Sequence, residues 1–119
     1  MTARHRVCAT AELVAGEARY VALAGWREGD PPRRAIVLRD RHGAARAYLD
    51  LCLHLPVPLS IGPDGPLDTD RTHLLCRTHG ARYRPEDGLC IEGPCEGESL
   101  QALELIDEGG VIFVTDPGK

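Results

Sequence analysis

The sequence predicts an all-β fold, an antiparallel sandwich or barrel built from short strands. Three observations point there. Apolar residues alternate with polar ones at a period of two, 13 glycines and 9 prolines punctuate the apolar runs, and no convincing amphipathic helix is found. At 119 residues the chain makes one domain, residues 1–119, large enough for a single core.

The strand segments follow in order. Arg4 to Ala9 comes first, and Ala11-Glu12-Leu13-Val14-Ala15-Gly16 after it is long enough for one helical turn. Ala18 to Ala24 ends at Gly25. Arg34 to Arg39 and Ala44 to Leu49 flank Arg41-His42-Gly43, which reads as a hairpin turn. His73 to Cys76, Leu89 to Ile91 and Leu100 to Ile106 are the next short runs. Val111 to Thr115 closes the series after Asp107-Glu108-Gly109-Gly110, a second hairpin signal. Trp26 and Phe113 read as core or strand-surface residues.

Composition narrows the function classes. Aromatic residues are only 4% of the chain and glycine and proline are abundant, as suits a loop-rich β protein. The net charge of −4 argues against general nucleic-acid binding. No stretch approaches the roughly 20 apolar residues of a membrane span, and Met1 to Cys8 is not followed by an apolar run of signal-peptide length. A cytoplasmic protein without a membrane partner is expected. In a reducing cytosol its five cysteines default to thiols or ligands.

Two of those cysteines stand beside histidines. Cys52 and His54 are one residue apart, Cys76 and His79 are two apart, and 21 residues separate the pairs. Each pair supplies one thiolate and one imidazole. Two loops meeting tip to tip could place both sulfurs on one iron of a 2Fe-2S cluster and both imidazoles on the other. Four thiolates leave the oxidised core doubly negative, whereas two thiolates and two neutral imidazoles leave it neutral, so an electron enters more easily. Such mixed ligation puts the potential in a range of roughly −150 to +300 mV, against about −400 mV for plant-type clusters. A structural zinc site with two cysteines and two histidines would use the same four residues. Zinc motifs usually pair Cys with Cys and His with His, whereas each short pair here is mixed.

The flanking residues sharpen this. Cys52-Leu53-His54, then Cys76-Arg77-Thr78-His79-Gly80-Ala81-Arg82-Tyr83, then Gly88 and Gly93-Pro94, together resemble the Rieske 2Fe-2S domain, closely over roughly residues 48–105. The resemblance implies a Rieske-like antiparallel sandwich or barrel with a cluster-binding part of two ligand loops, approximately residues 50–97. It implies one 2Fe-2S cluster held by Cys52, His54, Cys76 and His79. Residues 60–72 become the connection from the first ligand loop to the strand leading into the second. Gly93-Pro94 matches the loop that covers the cluster in this family, where a rigid turn excludes water from the sulfides. Arg77 departs from the proline usual in the second motif, at a position outside the ligand set.

The residues next to the ligands set an expectation for the potential. High-potential members carry a serine two residues after the second histidine and a tyrosine four after it, whose hydroxyls bond a sulfide and a ligand sulfur. Here Gly80 is followed by Ala81, and Tyr83 alone retains a hydroxyl. Those members also bridge the two loops by a disulfide, at places held here by Val57 and Thr78. A low to intermediate potential follows. His54 and His79 should each leave one ring nitrogen at the surface, so that the potential falls with pH once the oxidised imidazoles ionise. His5, His42 and His73 read as surface or turn residues. Cys8 reads as a small apolar strand residue, while Cys90 and Cys95 flank Gly93-Pro94, where a local disulfide is geometrically possible but not implied.

With no room for a second, catalytic domain, the expected function is electron transfer by a soluble Rieske-type ferredoxin, passing one electron from a reductase to a terminal oxygenase or similar enzyme. The alternative is a small Rieske-like subunit of a larger oxidoreductase, as in nitrite reductase. Arg77, Arg82 and Arg84 with Glu92, Glu96 and Glu98 form either a mixed docking rim or an ordinary solvated surface.

Overall fold

A computed structural model describes residues 3–14, 17–23, 34–40, 42–50, 73–76, 80–93 and 95–116. The strands are β1 (Ala3–Ala9), β2 (Ala18–Ala22), β3 (Arg34–Arg39), β4 (Ala45–Leu49), β5 (Leu74–Cys76), β6 (Ala81–Tyr83), β7 (Cys90–Glu92), β8 (Leu105–Glu108) and β9 (Val111–Asp116). A single 3-10 turn, Thr10–Glu12, stands where one helical turn is expected. The all-β expectation holds. Among the described residues three antiparallel sheets form, in the orders β1-β9-β8, β2-β3-β4 and β5-β6-β7.

The middle sheet organises the molecule because its central strand is apolar on both faces. In β3, Ile36 and Leu38 enter one core with Tyr48, Leu74, Cys76, Tyr83 and Leu100. Ala35 and Val37 point the other way, into a second core with Cys8, Leu49, Ile112 and Val114. Side chains one residue apart on a strand face opposite sides, so a continuous apolar run serves two layers. The sheet carrying Cys76 therefore packs on one side of β2-β3-β4, and the sheet of the chain ends on the other.

Both hairpin expectations hold. Gly109-Gly110 joins β8 to β9 beside the pair Glu108 and Val111. Between β3 and β4 the turn is organised by Asp40, only 4% exposed. Its Oδ1 accepts from the backbone N–H groups of His42 (2.8 Å) and Ala44 (3.0 Å), and its Oδ2 accepts from Arg46 Nε (3.0 Å). Burial alone would raise this carboxyl, but the guanidinium and the two N–H donors hold it below the usual aspartate value.

One segment departs from the expectation of a strand over Leu100 to Ile106. Strand structure begins only at Leu105; before it there are isolated bridges, Leu89 to Ser99 and Tyr48 to Ala102. Leu100 lies in the first core and Leu103 in the second, so the apolar spacing here is three, and the segment crosses between layers along the edge of β4. Its backbone is satisfied by that edge: Leu49 N–H donates to Gln101 O and Leu103 N–H to Ala47 O, both at 2.9 Å. β6 is an element that the sequence pattern did not separate from the motif around it.

Tyr48 ties the middle sheet to the β6–β7 connection. Its hydroxyl donates to Pro85 O at 2.6 Å. A Cβ on Gly88, whose φ is +74°, would come within 2.9 Å of the Tyr48 ring. Burial pushes the phenol up to about 12. The folded value exceeds the ordinary 10, so the stability it confers is intact below pH 10 and is lost as pH rises toward 12. Roughly 2 kcal/mol should disappear across that window. Urea midpoints at its two ends should show the loss in the wild type and a smaller one in Tyr48→Phe.

Candidate metal centre

The β5-β6-β7 sheet brings one ligand candidate into the first core. Cys76 ends β5 and pairs with Ala81, the first residue of β6. Alternation turns Leu74, Cys76, Ala81 and Tyr83 inward, and Cys76 is 0% exposed. The Gly80 N–H donates to Cys76 O at 2.8 Å, closing the loop between the two strands. Cys52, His54, His79 and Pro94 lie outside the described residues, as do Trp26, Val57, Arg77 and Thr78. Among the described residues no group of three or more His, Cys, Asp and Glu side chains is placed to hold a metal ion.

Two of the residues expected beside the ligands meet directly. Gly93, with φ +107°, lies so close to β6 that a Cβ there would sit 2.7 Å from the Ala81 Cα and 3.1 Å from its Cβ. The turn after β7 therefore rests on the hairpin that carries Cys76, and any side chain at position 93 would press against that hairpin's backbone. An enclosed thiol, an alanine-lined hairpin and a turn packed against it fit the Cys76 side of a water-excluded cluster.

Sequence reasoning missed the sulfur arrangement behind this hairpin. The Tyr83 hydroxyl lies 3.1 Å from Cys95 Sγ, Cys95 Sγ lies 3.2 Å from Cys90 Sγ, and Cys90 Sγ is 3.2 Å from Glu92 O. Cys90 and Cys95 are free thiols. Burial, followed by the hydrogen bond with Cys95, pushes the Cys90 thiol up to about 11. The spacing of two cysteines around Gly93-Pro94 was the available signal, and it pointed to proximity without revealing the tyrosine.

A second missed feature stands two residues before Cys52. Asp50 is 1% exposed, and its Oδ2 accepts a hydrogen bond from Arg34 Nε. Its backbone N–H donates to Arg34 O at 2.9 Å, and the Arg34 guanidinium lies over the Tyr20 ring at 4.2 Å. An arginine across a strand pair thus fixes the residue at which the segment bearing Cys52 and His54 departs from β4.

Two arginines of the charged rim are ion-paired. Arg82 faces Glu92 across β6 and β7 at 3.4 Å, and Arg84 pairs with Asp87. Exposed pairs of this kind contribute little to stability. His42 is exposed in its hairpin, His5 and His73 are half-buried, and Phe113 is a strand-surface residue with the Arg4 guanidinium over its ring at 4.4 Å.

Comparison with known proteins follows this geometry. The family model described as Rieske [2Fe-2S] domain matches residues 3–110. No curated protein matches the chain. Among solved structures, a chain in the complex of reduced oxygenase and oxidized ferredoxin in carbazole 1,9a-dioxygenase is 28% identical with a TM-score of 0.69, over 98% of this chain and 95% of that one. The terminal oxygenase of carbazole 1,9a-dioxygenase from Nocardioides aromaticivorans IC177 is 25% identical with a TM-score of 0.70, over 93% of this chain. A chain in the reduced complex between oxygenase and ferredoxin of that system is 23% identical with a TM-score of 0.72, again over 93%. This chain spans only 29% and 27% of those last two.

Proposed function

The chain belongs to the Rieske [2Fe-2S] domain family, and from that premise we propose that it is a ferredoxin delivering single electrons from a reductase to a terminal oxygenase. A Rieske-type 2Fe-2S cluster is the group it binds; when bound, that cluster supplies reversible one-electron transfer. What supports the reading is the family match over residues 3–110 together with a chain in an oxygenase–ferredoxin complex that is 28% identical over 98% of this chain and 95% of that one.

Cys52 and Cys76 are the thiolate ligands in this reading, and His54 and His79 the imidazole ligands. Enclosure of Cys76 keeps water from its sulfur, and the contact of Gly93 with Ala81 holds the second ligand loop in place. Each imidazole keeps one nitrogen for a proton, and its protonation follows the charge beside it. Cytoplasmic residence is part of the same proposal, supported by the unbridged thiols of Cys8, Cys90 and Cys95.

Spectroscopy tests the proposal. Freshly purified protein should contain iron and no zinc, and after reduction show an EPR signal averaging near g of about 1.9. Its midpoint should lie below about +200 mV and fall as pH rises through the imidazole range. A colourless zinc protein would refute the cluster. A large subunit that co-purifies stably would instead favour a resident subunit over a carrier.

A further inference from the structure

The hydrogen bonds joining Tyr83, Cys95, Cys90 and Glu92 run in one direction. A carbonyl oxygen only accepts, so the contact of Cys90 Sγ with Glu92 O at 3.2 Å requires the Cys90 S–H to donate. A thiol has one proton, so toward Cys95, 3.2 Å away, the Cys90 sulfur acts as acceptor and the Cys95 S–H donates. With that proton committed, the Cys95 sulfur in turn accepts from the Tyr83 hydroxyl at 3.1 Å. Tyr83, Cys90 and Cys95 are at most 3% exposed, so bulk water does not compete for these protons.

The direction matters because of where Tyr83 stands. Tyr83 and Ala81 share the inward face of β6, Ala81 pairs with Cys76, and all three lie in one core with Cys95 and Cys90. Side chains on one face of adjacent strands, diagonal to each other, are within reach for a residue as long as tyrosine. Tyr83, paired with Leu74, thus stands diagonal to Cys76 on the inward face of the hairpin. Hydrogen bonds to cluster sulfurs raise the potential by stabilising the added electron.

We propose that Cys95 is a positioning residue for electron transfer: by accepting the Tyr83 O–H, and by being oriented through Cys90 and Glu92 O, it holds that proton away from the cluster sulfurs and keeps the potential low. The inference rests on the proposed function, since it concerns the potential of the cluster that Cys76 helps to bind. Cys90 is the second member of the device, because its own proton orients the Cys95 sulfur as an acceptor.

Potentiometry on the cluster-loaded protein and its variants tests this. Cys95→Ala releases the hydroxyl and should shift the reduction equilibrium toward the reduced form by roughly tenfold, about 59 mV for one electron. Cys95→Ser retains an acceptor and a donor and should keep the wild-type potential. Tyr83→Phe should move the equilibrium by less than about twofold, since the O–H it removes is not directed at the cluster, and it should abolish the shift when combined with Cys95→Ala. In the infrared, Tyr83→Phe should also move the S–H stretch of Cys95, a readout independent of the potential. A roughly tenfold fall in Tyr83→Phe alone, or an unchanged potential in Cys95→Ala, would overturn the inference while leaving the ferredoxin reading intact. A wild-type protein that binds no cluster would overturn both.

Discussion

Replacing Cys76 by alanine is expected to leave a protein holding less than about a tenth of the wild-type iron, with no EPR signal on reduction. The residue is fully enclosed at the end of β5, and its thiol faces the core from which water is excluded. Removing the sulfur deletes one of the two proposed thiolate ligands, and no other described cysteine is placed to substitute. Cys90 and Cys95 belong to the chain that ends on Glu92 O, and Cys8 is in the opposite core. Because metal binding and folding are linked, the β5–β6 hairpin should also become the first part of the molecule to be cleaved by protease. Cys8→Ala is the matched control: equally buried, but on the other side of the middle sheet, it should keep its iron. Full iron content in Cys76→Ala would remove Cys76 from the ligand set.

Arg34→Ala should cost about 3 kcal/mol of folding stability, a large fraction of what a domain of this size possesses. The two partners are unequal. The Asp50 side chain is 0% exposed whereas that of Arg34 is 34% exposed, so truncating the arginine strips its guanidinium from a carboxylate that water does not reach. The contact over Tyr20 is lost with it. Arg46→Ala provides the comparison. Asp40 is buried too, and two backbone N–H donors from its own hairpin stay on it when Arg46 is truncated, so that substitution should cost about 1 kcal/mol. Chemical denaturation of the three proteins at neutral pH checks the order, and equal losses would show that the two backbone donors on Asp40 do not offset the loss of its guanidinium. Since Asp50 immediately precedes the segment bearing Cys52 and His54, Arg34→Ala should also release iron faster than wild type.

Much of this molecule is legible along the chain because the relevant physics is local. Period-two alternation places β1, β4 and β9 to within about two residues, since a half-buried pleated strand must show one face to apolar neighbours, whereas β3 is a short continuous apolar run bounded by turns. The hairpins at Asp40 and Gly109-Gly110 are legible because turn geometry restricts which residues occupy them. The mixed Cys and His pairs stand out along the chain because metal chemistry restricts ligand type and spacing. Family membership agrees with a 2Fe-2S cluster, while Cys52, His54 and His79 lie outside the described residues. Where alternation fails, at Leu100 to Glu104, the segment serves two cores in succession, and a single-face pattern cannot anticipate a chain that changes layers.

What only the tertiary structure decided are the contacts between residues distant in sequence. Tyr48 reaches Pro85 and packs against Gly88, Arg34 reaches Asp50 across a strand pair, and Gly93 rests on Ala81. Tyr83, which the family pattern marks as a neighbour of the ligands, turns out to be tied to Cys95, a residue for which composition and spacing allowed a disulfide or a free thiol alike. The difference has one physical cause. Ligand identity and strand periodicity are written into neighbouring residues, whereas the direction of a buried hydroxyl depends on which acceptors the packed sheets leave within hydrogen-bond distance. The sequence alone determined that this is a small β protein with a mixed-ligand redox motif; the packing of β6 against β7 decided where the Tyr83 proton goes.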